Sequence, residues 1–301
     1  MATLGKLSNR ATRLVMGLIV GIGCLYCVVR GGLPLMFLLT LFIVIGSIEL
    51  VKILKNKGFY PYLSVILAAN ASLCLLFWLK RLDLYPIVIV LGTISSFLAV
   101  MFNGRQPYIA NVATTALGIV YSSLPMYIIL IRQINYDGFG VWQMPVNEGL
   151  NFILFLFLVV IVTDVAAYYV GSKFGKHKLS PVISPNKTVE GAVGAVVFAV
   201  LTGMLTGYFI KLPWYHSLIL AFLITIFAQL GDLAESMIKR DAGVKDSGDA
   251  IAGHGGFLDR ADSFMFSCPI AYFYIHYFVV NNNVVMNIMS CIKKVLDAFG
   301  F

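Results

Sequence analysis

The sequence predicts an all-α, polytopic integral membrane protein, a bundle of about nine transmembrane helices, and three observations lead there. Hydrophobic residues fill 59% of 301 positions and charged residues only 12%, too little polar surface to cover a water-soluble globule. The apolar residues gather into nine runs near or above about 18 residues, the length a helix needs to cross roughly 30 Å of hydrocarbon. Lys and Arg are also shared unevenly between alternate connecting segments, which is what orients a chain in a bilayer.

In order, the runs cover 14–29, 33–54, 60–79, 84–103, 110–131, 149–170, 191–210, 215–236 and 263–282. The first follows Lys6, Arg10 and Arg13, the layout of a secretory signal. Its apolar stretch is longer than a signal core and no small-residue cleavage site follows, so it reads as an uncleaved first helix. Of the five cysteines, Cys24, Cys27, Cys74 and Cys268 lie within runs, where a thiol packs as a small hydrophobe, and Cys291 lies beyond them. Cys24 and Cys27 have the spacing of a redox or metal pair, but no histidine or second pair stands near them.

Nine crossings put alternate connections on opposite sides. Fifteen of the 22 Lys and Arg residues fall on the side of the N-terminus, which is therefore expected to be cytoplasmic. Segments 171–190 and 237–262 open on that side. The net charge of +8 reflects this asymmetry and favours anionic lipid head groups. No basic stripe is interleaved with aromatics, so nucleic acid is not an expected partner.

Nine of the fourteen acids lie between Asp164 and Asp262. Residues 1–148 are acid-poor and read as scaffold and lipid-facing wall, whereas 149–301 carry the motif-bearing segments. Glu49, beside Lys52 near the end of the second run, reads as one half of a local ion pair. Asp164 and Asp232 differ, because each sits inside a run, where a carboxylate costs on the order of 3 kcal/mol unless paired, hydrated or bound to a cation. Glu235 and Ser236 follow Asp232 at helical spacing and share its face.

The stretch from Ser236 to Asp262, SMIKRDAGVKDSGDAIAGHGGFLDRAD, mixes the groups that handle phosphate. Lys239, Arg240 and Lys245 suit phosphate oxygens. Asp246, Asp249, Asp259 and Asp262, with Asp232, offer hard oxygen ligands to a divalent cation such as Mg²⁺. Gly253-His254-Gly255-Gly256 lets backbone N–H groups approach an anion, with His254 as a further donor. A solvated loop with local salt bridges is the plainer alternative. The segment from Gly171 to Gly191 repeats the theme, with Lys187 placed just before a helix whose N-terminus attracts anions. A basic loop that binds lipid phosphate nonspecifically is its plainer alternative.

Together these segments resemble the signature of the phosphatidate cytidylyltransferase (CDP-diacylglycerol synthase) family. The resemblance rests on Ser236, Lys239, Arg240, Lys245, Asp246, His254, Gly255, Gly256, Asp259, Arg260 and Asp262. An upstream block adds Asp164, Ala167, Tyr168, Gly171, Phe174, Gly175, Ser184, Pro185, Lys187, Thr188, Glu190 and Gly191. Ala252 and Ala261 depart from the pattern at uncharged positions, which bears on loop rigidity rather than chemistry.

The resemblance implies a homodimeric membrane enzyme that joins CTP to phosphatidic acid and releases pyrophosphate. It implies Asp232 and Asp259 as metal carboxylates with Asp246 close behind, and Mg²⁺ as the ion, with a monovalent cation such as K⁺ at a paired site. On that reading Lys239, Arg240, Lys245 and Arg260 clamp phosphates, Ser184 and Lys187 hold a second phosphate group, and Asp164 lines the cavity. His254 joins the catalytic set, and Ser236, Gly255, Gly256 and Asp262 contact substrate. Three rival readings stand beside it: a cytidylyltransferase for another lipid phosphate; a cation-coupled secondary transporter, which also keeps carboxylates within helices; and a purely structural membrane scaffold, which gives no reason for the acids to cluster.

Overall fold

Inside hydrocarbon every backbone N–H and C=O must find its partner within the segment, so long apolar runs become helices. The computed structural model describes residues 21–134, 148–248 and 256–281. Among these residues seven helices are long and apolar enough to cross a membrane, and Gly21–Arg30 and Leu63–Trp78 are two shorter apolar ones. Together they correspond to the nine expected runs.

The helices are α1 (Gly21–Arg30), α2 (Gly32–Asn56), α3 (Leu63–Trp78), α4 (Tyr85–Asn103), α5 (Tyr108–Ser123), α6 (Tyr127–Arg132), α7 (Glu148–Phe174), α8 (Val189–Phe209), α9 (Trp214–Asp241) and α10 (Leu258–Tyr274). A 3₁₀ turn at Leu124–Met126, where Pro125 supplies no N–H, joins α5 and α6 into one span. A π-helical turn, Ile275–Val280, extends α10.

Between α1 and α2 the chain turns on Gly31 and Gly32, at φ 64° and 56°, a left-handed conformation that side chains with a Cβ resist. Arg132 secures this break: Nε donates to the Val28 carbonyl at 3.1 Å and Nη2 to that of Val29 at 2.9 Å. Those carbonyls belong to the last turn of α1, which has no later turn to satisfy them.

The centre of the bundle is α7. Its Ile153, Phe155, Leu156 and Val159 are fully buried against Leu220, Ala221 and Ile224 of α9, in a cluster that also takes Phe77 and Ile131. One core thus draws on both 1–148 and 149–301. On the outside, α4 exposes Ile87, Val90, Phe97 and Phe102, and α8 exposes Val193, Phe198, Leu201 and Leu205. Apolar faces of this extent need lipid as their solvent.

Between α7 and α8 lies an antiparallel hairpin, β1 (Lys178–Ser180) and β2 (Ser184–Thr188), with Lys178 opposite Thr188 and Ser180 opposite Ser184. Thr188 caps α8 by accepting from Gly191 N at 3.2 Å. Glu190 accepts from the backbone N–H groups of Lys176 and His177 at 3.0 and 3.2 Å, which binds the hairpin's start to the helix.

Helix boundaries move at one informative place. The sequence puts 237–262 in a loop, but α9 continues to Asp241 and α10 already begins at Leu258. Lys239, Arg240, Asp259, Arg260 and Asp262 therefore stand on helices. Hydropathy falls where the charges begin, whereas helical backbone continues as long as the two helices have each other to pack against.

Candidate active site

The site forms where α9 crosses α10. At Gly231 the approach is so close that a Cβ would lie 2.5 Å from the Asp262 carbonyl oxygen. This contact sets Asp232 of α9 beside Asp262 of α10. Asp164 enters from α7, accepting from Ser263 Oγ at 3.2 Å, while Asp262 Oδ1 accepts from Ser263 N at 2.7 Å. Ser263, which donates to both Asp164 and Asp262, and the Gly231 contact bring Asp164, Asp232 and Asp262 to one corner. Three helices thus converge their acids at one end of the bundle.

Two lysines answer this negative charge. Lys187, in β2, places Nζ 2.6 Å from Asp232 Oδ2, with the side chains 27% and 30% exposed. Lys239 places Nζ 2.5 Å from both Glu235 Oε2 and Asp259 Oδ1 and is only 10% exposed. Beyond these ion pairs, Lys187 Nζ and both Glu235 carboxylate oxygens have no hydrogen-bond partner among the described residues. Ser236 sits at the edge of the group, its Oγ 3.5 Å from Asp232 Oδ1.

Asp259 stands in the first turn of α10, where the helix dipole favours negative charge. Its Oδ2 accepts from Ser247 N and Ser247 Oγ, both at 2.9 Å, and from Gly256 N at 3.2 Å. Ser247 also faces Glu49, and here the sequence reading is corrected. Glu49 is 3% exposed and does not pair with Lys52. Its Oε1 accepts from Phe257 N and its Oε2 from Leu258 N, both at 2.9 Å, across about two hundred residues. A buried carboxylate is tolerated only with such bonds, and a helix start supplies free N–H groups.

The remaining candidates are spread more widely. Arg240 Nε donates to the Ile183 carbonyl and Nη1 to that of Val244, both at 3.3 Å, so it ties the β-hairpin to the end of α9. Lys245 and Asp246 are exposed. Ser184 lies partly buried at the start of β2. His254 and Gly255, with Asp249 and Ala252, lie outside the described residues.

Two cavities flank the acids. One of about 490 Å³ is the more polar of the two, and its lining includes Asp164, Tyr168, Asn186, Lys187, Gln229 and Asp232. The other, of about 390 Å³, is apolar, lined by residues such as Leu35, Leu39, Phe42, Ile128 and Phe264, with Arg260 at its wall.

Among the described residues no three His, Cys, Asp or Glu side chains converge as they stand to hold one metal ion, so Asp232, Asp246 and Asp259 do not meet as a set. The donor chemistry nonetheless suits a hard cation, because every ligand on offer is a carboxylate oxygen. The buried oxygens of Glu235 and the position of Lys239 between Glu235 and Asp259 mark where positive charge is required.

Known proteins are similar in sequence to this chain. A model of the cytidylyltransferase family matches residues 11–278. The phosphatidate cytidylyltransferase of Staphylococcus saprophyticus is 36% identical over 252 residues, 80% of this chain and 89% of that protein. That of Synechocystis sp. is 31% identical over 283 residues, 88% of this chain and 96% of the other. The Staphylococcus aureus (strain COL) phosphatidate cytidylyltransferase is 47% identical over a shorter 135 residues, 44% of this chain and 52% of that one.

Proposed function

The chain belongs to the cytidylyltransferase family, and from that premise we propose that it condenses CTP with phosphatidic acid, forming CDP-diacylglycerol and pyrophosphate. A phosphate oxygen of phosphatidate attacks the α-phosphorus of CTP, and the bond from that phosphorus to the β-phosphate oxygen breaks, its electron pair leaving with pyrophosphate. The nucleophile is already an anion at neutral pH, so no base is needed to make one. The task is to bring two polyanions together and to offset charge on the leaving group, which is positioning and electrostatics.

The polar cavity takes the triphosphate, with Lys187 as its cation. Arg260, beside hydrocarbon, is suited to the phosphate of a lipid whose acyl chains stay in the bilayer. Asp232 and Asp259 would hold Mg²⁺, which when bound would offset charge on the pyrophosphate. A monovalent cation is the further candidate at the same acids. Lys239 holds Glu235 and Asp259 in place until then. Exposed Asp246 and Lys245 guard the approach rather than the centre. The excess of Lys and Arg turns this end toward the cytoplasm, where CTP is found. By family resemblance the working unit is a homodimer, which cross-linking in membranes tests.

One observation carries the reading: Lys187 meets Asp232 at a cavity lined by α7, α8, α9 and the β-hairpin. Purified protein given labelled CTP, phosphatidic acid and Mg²⁺ is expected to yield a CDP-lipid and pyrophosphate in equal amounts. Pyrophosphate release that does not depend on the lipid would refute it.

A further inference from the structure

Glu49 belongs to α2, far in sequence from every motif, yet its carboxylate ends at the start of α10. Oε1 accepts from Phe257 N and Oε2 from Leu258 N, amides that no earlier turn of α10 can satisfy. Oε2 also lies 3.3 Å from Ser247 Oγ. That hydroxyl is shared, for it stands 2.9 Å from Asp259 Oδ2 and accepts from Asp259 N at 3.3 Å. A hydroxyl has one proton, and the shorter contact gives it to Asp259. Packing fixes the same junction: the rings of Phe42 and Phe257 lie 4.5 Å apart, and Gly46 leaves room for Leu258.

We propose that Glu49 is a positioning residue for cytidylyl transfer, holding Ser247 and the first turn of α10 so that Asp259 faces Lys239 and the acid cluster. The part played by Asp259 in this rests on the function proposed above, whereas the hold on Ser247 and α10 does not. Were Asp259 to take up a cation, Glu49 would be the acceptor that remains for the Ser247 proton.

Glu49→Gln keeps the shape but turns an NH₂ donor toward backbone donors. Hydrogen–deuterium exchange of the variant in detergent is expected to be roughly tenfold faster in peptides covering 245–260, as loss of hydrogen bonds to a charged group implies, with α7 peptides unchanged. In turnover, kcat falls roughly 10- to 100-fold and the Mg²⁺ concentration for half-maximal rate rises, while KM for CTP moves little. Ser247→Ala, which leaves the Glu49 bonds to α10 intact, reproduces the kcat loss and the Mg²⁺ shift, and the double variant is less than additive. Unchanged exchange across 245–260, wild-type kinetics in Ser247→Ala, or losses that simply multiply would each overturn the proposal. A wild-type protein that makes no CDP-lipid would refute the function, and the exchange measurement would still decide whether Glu49 holds this junction.

Discussion

Lys187 Nζ stands 2.6 Å from Asp232 Oδ2, fastening the β-hairpin to α9 at the wall of the polar cavity. Both side chains keep more than a quarter of their surface exposed, but the ammonium itself is buried against Asp232, so an incoming phosphate reaches it by displacing that carboxylate. Lys187→Ala is expected to raise KM for CTP roughly tenfold or more, as loss of a charge-assisted contact does, with KM for phosphatidic acid nearly unchanged. Titrations of both substrates check this, and equal shifts for the two would count against a nucleotide role.

Asp232 lines that cavity together with Asp164 and is the one of the two that pairs with Lys187. Asp232→Asn keeps its size and removes its charge, so expression and thermal stability should hold while CDP-lipid synthesis falls by roughly 10²-fold or more, the scale of losing one preorganised electrostatic group. Added Mg²⁺ should not restore it. Near-normal synthesis by this variant would remove Asp232 from the metal set.

Lys239 has a different balance. It lies between Glu235, 2% exposed, and Asp259, 17% exposed, and removing it leaves two carboxylates buried against each other. Lys239→Met is therefore expected to destabilise the protein by about 3–5 kcal/mol, whereas the half-open Lys187 pair contributes about 1 kcal/mol or less. Thermal unfolding in detergent separates the two. A Lys239→Met protein as stable as wild type would show that the acids are already neutralised in another way.

Much of this site was legible in the sequence, and the rest fails for identifiable reasons. The nine apolar runs and the motif carrying Lys239, Asp259 and Asp262 depend on local composition and spacing, which one chain displays directly. Glu49 does not, because a carboxylate near a helix end beside Lys52 looks like a surface pair, and its partners lie some two hundred residues away. Nor could periodicity show that Lys239 lies between two acids, since the Asp259 half of that arrangement depends on how α9 crosses α10. The helical state of 258–262 was hidden because hydropathy measures burial in lipid rather than backbone geometry.

That crossing supplies the last prediction. Gly231 lets α9 come within contact of the Asp262 backbone, and any Cβ there would press 2.5 Å from a carbonyl that the helix cannot move cheaply. Gly231→Ala must therefore push the helices apart by about an ångström, at a cost of roughly 1–3 kcal/mol in a packed interior. Separation acts first on the groups nearest the crossing, so Asp232 and Asp262 lose register while the hairpin and the α7 core persist. The expected result is a folded protein with a modestly lowered melting temperature and a loss of kcat far larger than that stability change explains. A cysteine pair at lipid-facing positions of α9 and α10, spin-labelled for distance measurement, would report the shift, and an unaltered distance with full activity would show that the crossing has slack.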